Sequence, residues 1–181
     1  PLQVQLARIM KNNRFLKVLG LYLLLWCGLQ LMQTVALFYL VQVLRLPASL
    51  STWLLLVFQI SALAGLQTWS IYSNKNGRVK ALFQGGRLWI TGCLLTMLIP
   101  PIAPNTTFTT LLEVSKFDSF KILALIACIL VAGFGASTAY LIPWSLLPDA
   151  IDADPDKPAG SYTACMVLIQ KILVALSVLT V

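Results

Sequence analysis

Lys171 lies about 12 residues into an apolar run that starts near residue 160, roughly 18 Å from its polar flank at a helical rise of about 1.5 Å per residue. A cation at that depth in an apolar helix needs a carboxylate partner or a hydrated pocket. All six acids of the chain lie in loops or at helix ends, so a partner is expected outside these residues. A lysine that snorkels to an interface is the competing reading. Thr163, Gln170 and Ser177 recur every seven residues beside Lys171, as a face lining an aqueous path or one that packs through small polar groups. Tyr22, Trp26, Gln30, Gln33 and Thr34 recur at spacings of three and four and share one helical face. Their amides and hydroxyl can hydrogen-bond a polyol while the rings stack on its apolar faces, and they can equally bond a neighbouring helix. Gln59 and Gln67 give a weaker signal of the same kind. Further along, Tyr140 and Trp144 are four apart around Pro143, which removes one helical bond and predicts a kink. Asp149 and Asp152 are suited to pair with Arg78 or Lys80, or to form a surface acidic cluster.

Other chemistries find no residues. The chain has no His, and Cys27, Cys93, Cys128 and Cys165 each sit in a different apolar run, as buried thiols would. No metal spacing, disulfide framework or glycine-rich phosphate loop is present, so an enzyme is not expected. Of 181 residues, 59% are hydrophobic and 10% charged, with a mean hydropathy of +0.85. Soluble domains carry about a quarter charged residues, which nearly excludes a water-soluble globule. The formal charge of +7 is confined to short segments between long apolar runs, a pattern that fits a bilayer and not a nucleic acid.

These side chains require an all-α membrane architecture, because backbone groups in lipid must bond within their own segment. Five spans are predicted, at about 16–44, 50–73, 86–103, 121–147 and 160–181. Basic residues alternate between connections: Arg8, Lys11, Arg14 and Lys17 precede the first span, and Lys75, Arg78, Lys80 and Arg87 lie between the second and third. That asymmetry places the start in the cytoplasm, and the cell (inner) membrane is the expected location. Ala132, Gly133, Ala136 and Ser137 allow another helix to approach closely. Asn105-Thr106-Thr107 matches a glycosylation sequon in the connection expected outside.

The string Pro143-Trp144-Ser145-Leu146-Leu147-Pro148-Asp149-Ala150-Ile151-Asp152, followed some twenty residues later by Lys171, resembles the glycoside-pentoside-hexuronide:cation symporter family. This is the melibiose-permease-like branch of the major facilitator superfamily. The resemblance covers essentially the whole chain and implies helices seven to eleven of a twelve-helix fold. Residues 1–181 are then a partial carboxy-terminal bundle, with the amino-terminal half of the same protein as the missing partner. It also implies a sugar-like substrate touched by Gln30, Thr34, Tyr140 and Trp144, coupling through Lys171, and a cytoplasmic gate of Asp149, Asp152, Arg78 and Lys80. No cofactor is implied beyond a coupling ion, Na+ or H+. Tyr140 stands near where the melibiose permease has a sugar-stacking tryptophan, and Asn74 replaces the acid of the superfamily's cytoplasmic turn. The same family includes lysolipid transporters, the first alternative; a non-transporting membrane scaffold remnant is the second.

Overall fold

Asn12 starts the first helix by capping it: its Oδ1 accepts the N–H groups of Arg14 (3.1 Å) and Phe15 (3.2 Å), two donors with no partner inside the helix. The structure is a computed structural model that describes residues 9–101, 116–152, 154 and 159–179. Helix α1 runs Asn13–Phe38 and continues as a π-helical turn, Tyr39–Val43. Arg45 (φ 57°) and the extended Pro47 then turn the chain into α2, Ala48–Asn76. Helix α3 is Arg78–Met97, α4 is Lys116–Ile151 and α5 is Ala159–Leu179. Among the described residues there is no strand.

The helices are apolar on nearly all sides, as expected of segments that meet both a core and lipid. Four stretches are long and apolar enough to cross a membrane: Asn13–Val43, Ala48–Asn76, Phe120–Ile151 and Ala159–Leu176. The chain is thus part of an integral, multi-pass membrane protein. The third expected span, about 86–103, differs: its helix starts directly after Gly77, carries Arg78 and Lys80 in its first turn and Arg87 at its middle, and is not among these four stretches. Pro100 and Pro101, which have no N–H to donate, follow its end. The fourth span is longer than expected, because α4 runs through Pro143 and Pro148 to Ile151. Each proline removes only one helical bond, a loss that membrane helices tolerate. The sequon residue Asn105 and the Ser177 side chain lie outside the described residues.

The chain divides into two compact units. Residues Pro1–Leu31 and Ala139–Val181 make the first, whose core joins Phe15, Leu19 and Tyr22 of α1 to Leu147 and Ala150 of α4 and to Tyr162, Cys165 and Met166 of α5. Residues Met32–Thr138 make the second, where α2, α3 and the first part of α4 approach through small residues. A Cβ on Gly92 would lie 2.6 Å from the Ala132 nitrogen, and one on Gly133 would lie 2.5 Å from the Phe58 carbonyl oxygen. Ser61 Oγ donates to the Leu130 carbonyl (2.6 Å) and Trp69 Nε1 to that of Phe134 (2.8 Å), locking α2 to α4. The expectation of close approach at Ala132, Gly133 and Ser137 therefore holds. Cys165 is buried, whereas Cys27, Cys93 and Cys128 are only half-buried, short of the full burial expected of them.

Gly77 separates α2 from α3 at φ 92°, ψ 146°, a conformation that side chains oppose, and its N–H bonds the Ser73 carbonyl at 2.9 Å. Gly77→Ala in the full-length protein is expected to lose about 1–3 kcal/mol. Thermal unfolding in detergent reads this as a lowered midpoint; an unchanged midpoint would mean the turn relaxes at no cost.

Candidate functional site

Helical spacing puts Tyr22 and Trp26 one turn apart on α1, and Tyr140 and Trp144 one turn apart on α4. In the first unit the two pairs interleave. The Tyr22 ring meets Trp26 (centroids 5.8 Å apart) and Trp144 (5.7 Å, 75° between planes), and Trp26 meets Tyr140 (5.6 Å, 83°). The two edge-to-face contacts, Tyr22–Trp144 and Trp26–Tyr140, stabilise by about 0.5–1.5 kcal/mol each beyond the area they bury. The result is a continuous aromatic wall in the order Trp144, Tyr22, Trp26, Tyr140. Tyr22 is 2% exposed and anchors it, Trp26 and Tyr140 are half-buried, and Trp144 keeps 38% of its surface open. Trp26 lies near the middle of the Asn13–Val43 span, and Tyr140 and Trp144 lie in the second half of the Phe120–Ile151 span.

The wall is tied to α5 by Tyr22 Oη, which donates to Gln170 Oε1 at 3.0 Å. Gln170 is 6% exposed, so its amide belongs to helix packing and not to an open polar face. Lys171, the next residue, is exposed, since neighbours on a helix point about 100° apart. Thr163 is half-buried. Gln30 follows Trp26 by one turn on α1 and is half-buried, and Thr34, a further turn along and also half-buried, belongs to the second unit.

The acidic segment divides. Asp149 and Asp152 are exposed at the end of α4, as a surface cluster would be. Asp154, in contrast, is 6% exposed and accepts the Tyr162 hydroxyl at 2.9 Å. Asn12 Nδ2 donates to the same Tyr162 oxygen (3.1 Å) and to the Ala150 carbonyl (2.9 Å), while Phe15 meets the Tyr162 ring edge-on at 4.8 Å. Sequence reasoning missed this polar knot. Asn immediately before an apolar helix is a capping signal and marks Asn12, whereas Tyr162 and Asp154 carry no local signal. Arg78 (half-buried) and Lys80 (exposed) open α3 in the second unit, whereas the two exposed aspartates belong to the first.

Comparison with known proteins bears on these helices. The chain is 29% identical over 185 residues to an uncharacterized symporter of Synechocystis sp., with 100% of this chain and 31% of the relative covered. It therefore spans about a third of the length of that relative. No solved structure matches it. The family described as MFS/sugar transport protein matches residues 1–181, and the chain belongs to that family.

Proposed function

We propose that the chain is part of a secondary transporter, not an enzyme, that moves a sugar-like substrate by alternating access and couples this to a cation, Na+ or H+. The observation that carries the reading is the aromatic wall Trp144–Tyr22–Trp26–Tyr140, partly open and built from two membrane-spanning helices, as substrate sites of secondary transporters are. Its rings suit the apolar faces of a pyranose, and Gln30, one turn after Trp26 on the same helix, carries an amide of the kind that hydrogen-bonds its hydroxyls. Lys171, the exposed cation within α5, is assigned the coupling role, exchanging carboxylate partners elsewhere in the full-length protein. Asp149 and Asp152, exposed at the end of α4, are assigned to a cytoplasmic gate. The family supports transport, and the Synechocystis relative is named a symporter.

The test is uptake by the full-length protein in proteoliposomes, with a panel of sugars and glycosides set against lysophosphatidylcholine, each with and without a Na+ or H+ gradient. Gradient-driven sugar uptake is expected. Trp144→Ala should raise the half-saturating sugar concentration about tenfold, the loss of roughly 1.4 kcal/mol of stacking. Lysolipid movement without sugar uptake would overturn the substrate class, and uptake indifferent to both gradients would overturn the coupling.

A further inference from the structure

At the end of the second unit opposite the Gly77 turn, the helices leave a cavity of about 140 Å³. Its wall comes from the end of α1 and its π-helical turn (Ala36, Tyr39, Leu40), the start of α2 (Leu54, Phe58), the end of α3 (Cys93, Thr96, Met97) and Ile129 and Ala132 of α4. The π-turn contributes to this space: Leu44 N–H bonds the Tyr39 carbonyl five residues back (3.0 Å), so one extra residue enters the turn that carries Tyr39 and Leu40. Such single-turn insertions are frequent at functional sites.

Hydroxyl groups on the wall are already engaged. Tyr39 Oη donates to the Thr96 carbonyl (3.3 Å), and Thr96 Oγ1 donates to the Gly92 carbonyl (2.9 Å). The surface a guest would meet is almost wholly apolar. An apolar space of about 150 Å³ stays dry and takes a guest the size of benzene. The cavity is not sealed, because two of its lining residues, Val35 (62% exposed) and Met97 (65%), are open to the surroundings. Trp53, 58% exposed and one residue before the cavity-lining Leu54, marks this end as the membrane interface, where tryptophans collect. Just inside that level the surroundings of a membrane protein are the upper acyl chains of the bilayer.

We infer that this cavity is a binding site for a short segment of one acyl chain of a bilayer phospholipid, entering between Val35 and Met97. The site is separate from the aromatic wall, and the inference does not depend on what the protein transports. An acyl segment seated there adds dispersion contacts to Tyr39, Phe58 and Cys93, which line the space.

The experiment places the full-length protein in phosphatidylcholine vesicles containing a phosphatidylcholine with a photoactivatable diazirine on one acyl chain, and maps the adducts by mass spectrometry. Met97 and Cys93 are expected to carry about tenfold more adduct than Leu63 and Ile90, which are exposed but do not line the cavity, a preference of about 1.4 kcal/mol. Ala36→Leu and Cys93→Leu, which fill the cavity from two different helices, should each bring Met97 labelling down to the Leu63 level. The inference is overturned if the unmodified protein labels Met97 and Cys93 no more than Leu63 and Ile90. Met97 labelling that persists in both filled variants overturns it as well. A free lysolipid probe that competes the adduct away at low concentration would also overturn it, because the occupant would then not be a bilayer lipid.

Discussion

Lys171→Leu in the full-length protein abolishes ion-driven uptake, while membrane insertion and abundance are unchanged or improved. A cation at the centre of a spanning helix costs about 2.5–3.5 kcal/mol to insert, so leucine makes α5 an easier segment to place. The residue is exposed and follows a buried glutamine that is committed to Tyr22, so removing its charge leaves the packing of α5 on α1 intact. Under the proposed coupling, what is lost is the charge that exchanges carboxylate partners when the ion leaves. Lys171→Arg, which keeps the charge, should retain ion dependence with altered kinetics. Uptake and substrate exchange in proteoliposomes under imposed Na+ and H+ gradients make the measurement. Normal gradient-driven uptake by Lys171→Leu would sink the coupling role, and loss of folded protein would show that the side chain is structural.

A second large effect is expected from Gly133→Leu. The first side-chain atom would already stand 2.5 Å from the Phe58 carbonyl oxygen and 3.1 Å from Ser61 Cβ. The obstructing atom is backbone in α2, so relief requires the helices to separate. Separation breaks the Ser61 and Trp69 hydrogen bonds to α4, which lie on the same contact. Overpacking alone costs about 1–3 kcal/mol, and two lost bonds add about 0.5–1.5 kcal/mol each. The readout is a lower unfolding midpoint and a loss of monodisperse protein in size-exclusion chromatography. Gly133→Ala should show a smaller shift in the same direction. An unchanged profile for Gly133→Leu would mean that α2 and α4 do not hold this separation in the membrane.

Much of this arrangement can be read from spacing. Tyr140 and Trp144 are four apart, as are Tyr22 and Trp26, so each pair shares a helix face, and small residues around Gly133 announce a close crossing. The major facilitator resemblance rests on the string from Pro143 to Asp152, and the family match bears it out. Other features resist such reading for physical reasons. Hydropathy treats Arg78 and Lys80 as a loop, yet a helix end near an interface carries such side chains readily, and the boundary is set by the backbone of Gly77. Gln170 looks like part of a polar stripe with Lys171, but one residue along a helix is a different face. Asp154 is one of four aspartates between Asp149 and Asp156, and only its partner Tyr162, supplied by another helix, distinguishes it as buried. The π-turn depends on the packing around Tyr39 and has no composition of its own.

The division of the chain has a consequence for the order of manufacture. The second unit is continuous in sequence, so its helices can find one another as soon as residue 138 has been delivered to the membrane. The first unit is closed by bonds across very long separations: Asn12 to Tyr162 spans 150 residues and Tyr22 to Gln170 spans 148. Domains form as their residues emerge during synthesis, at about 5–20 residues per second. Tyr22 and Asn12 therefore wait roughly 8–30 seconds for partners made some 150 residues later. During that interval the start of α1 is a half-finished surface held only by its own helix, the natural point at which an insertion factor or chaperone would act on this chain.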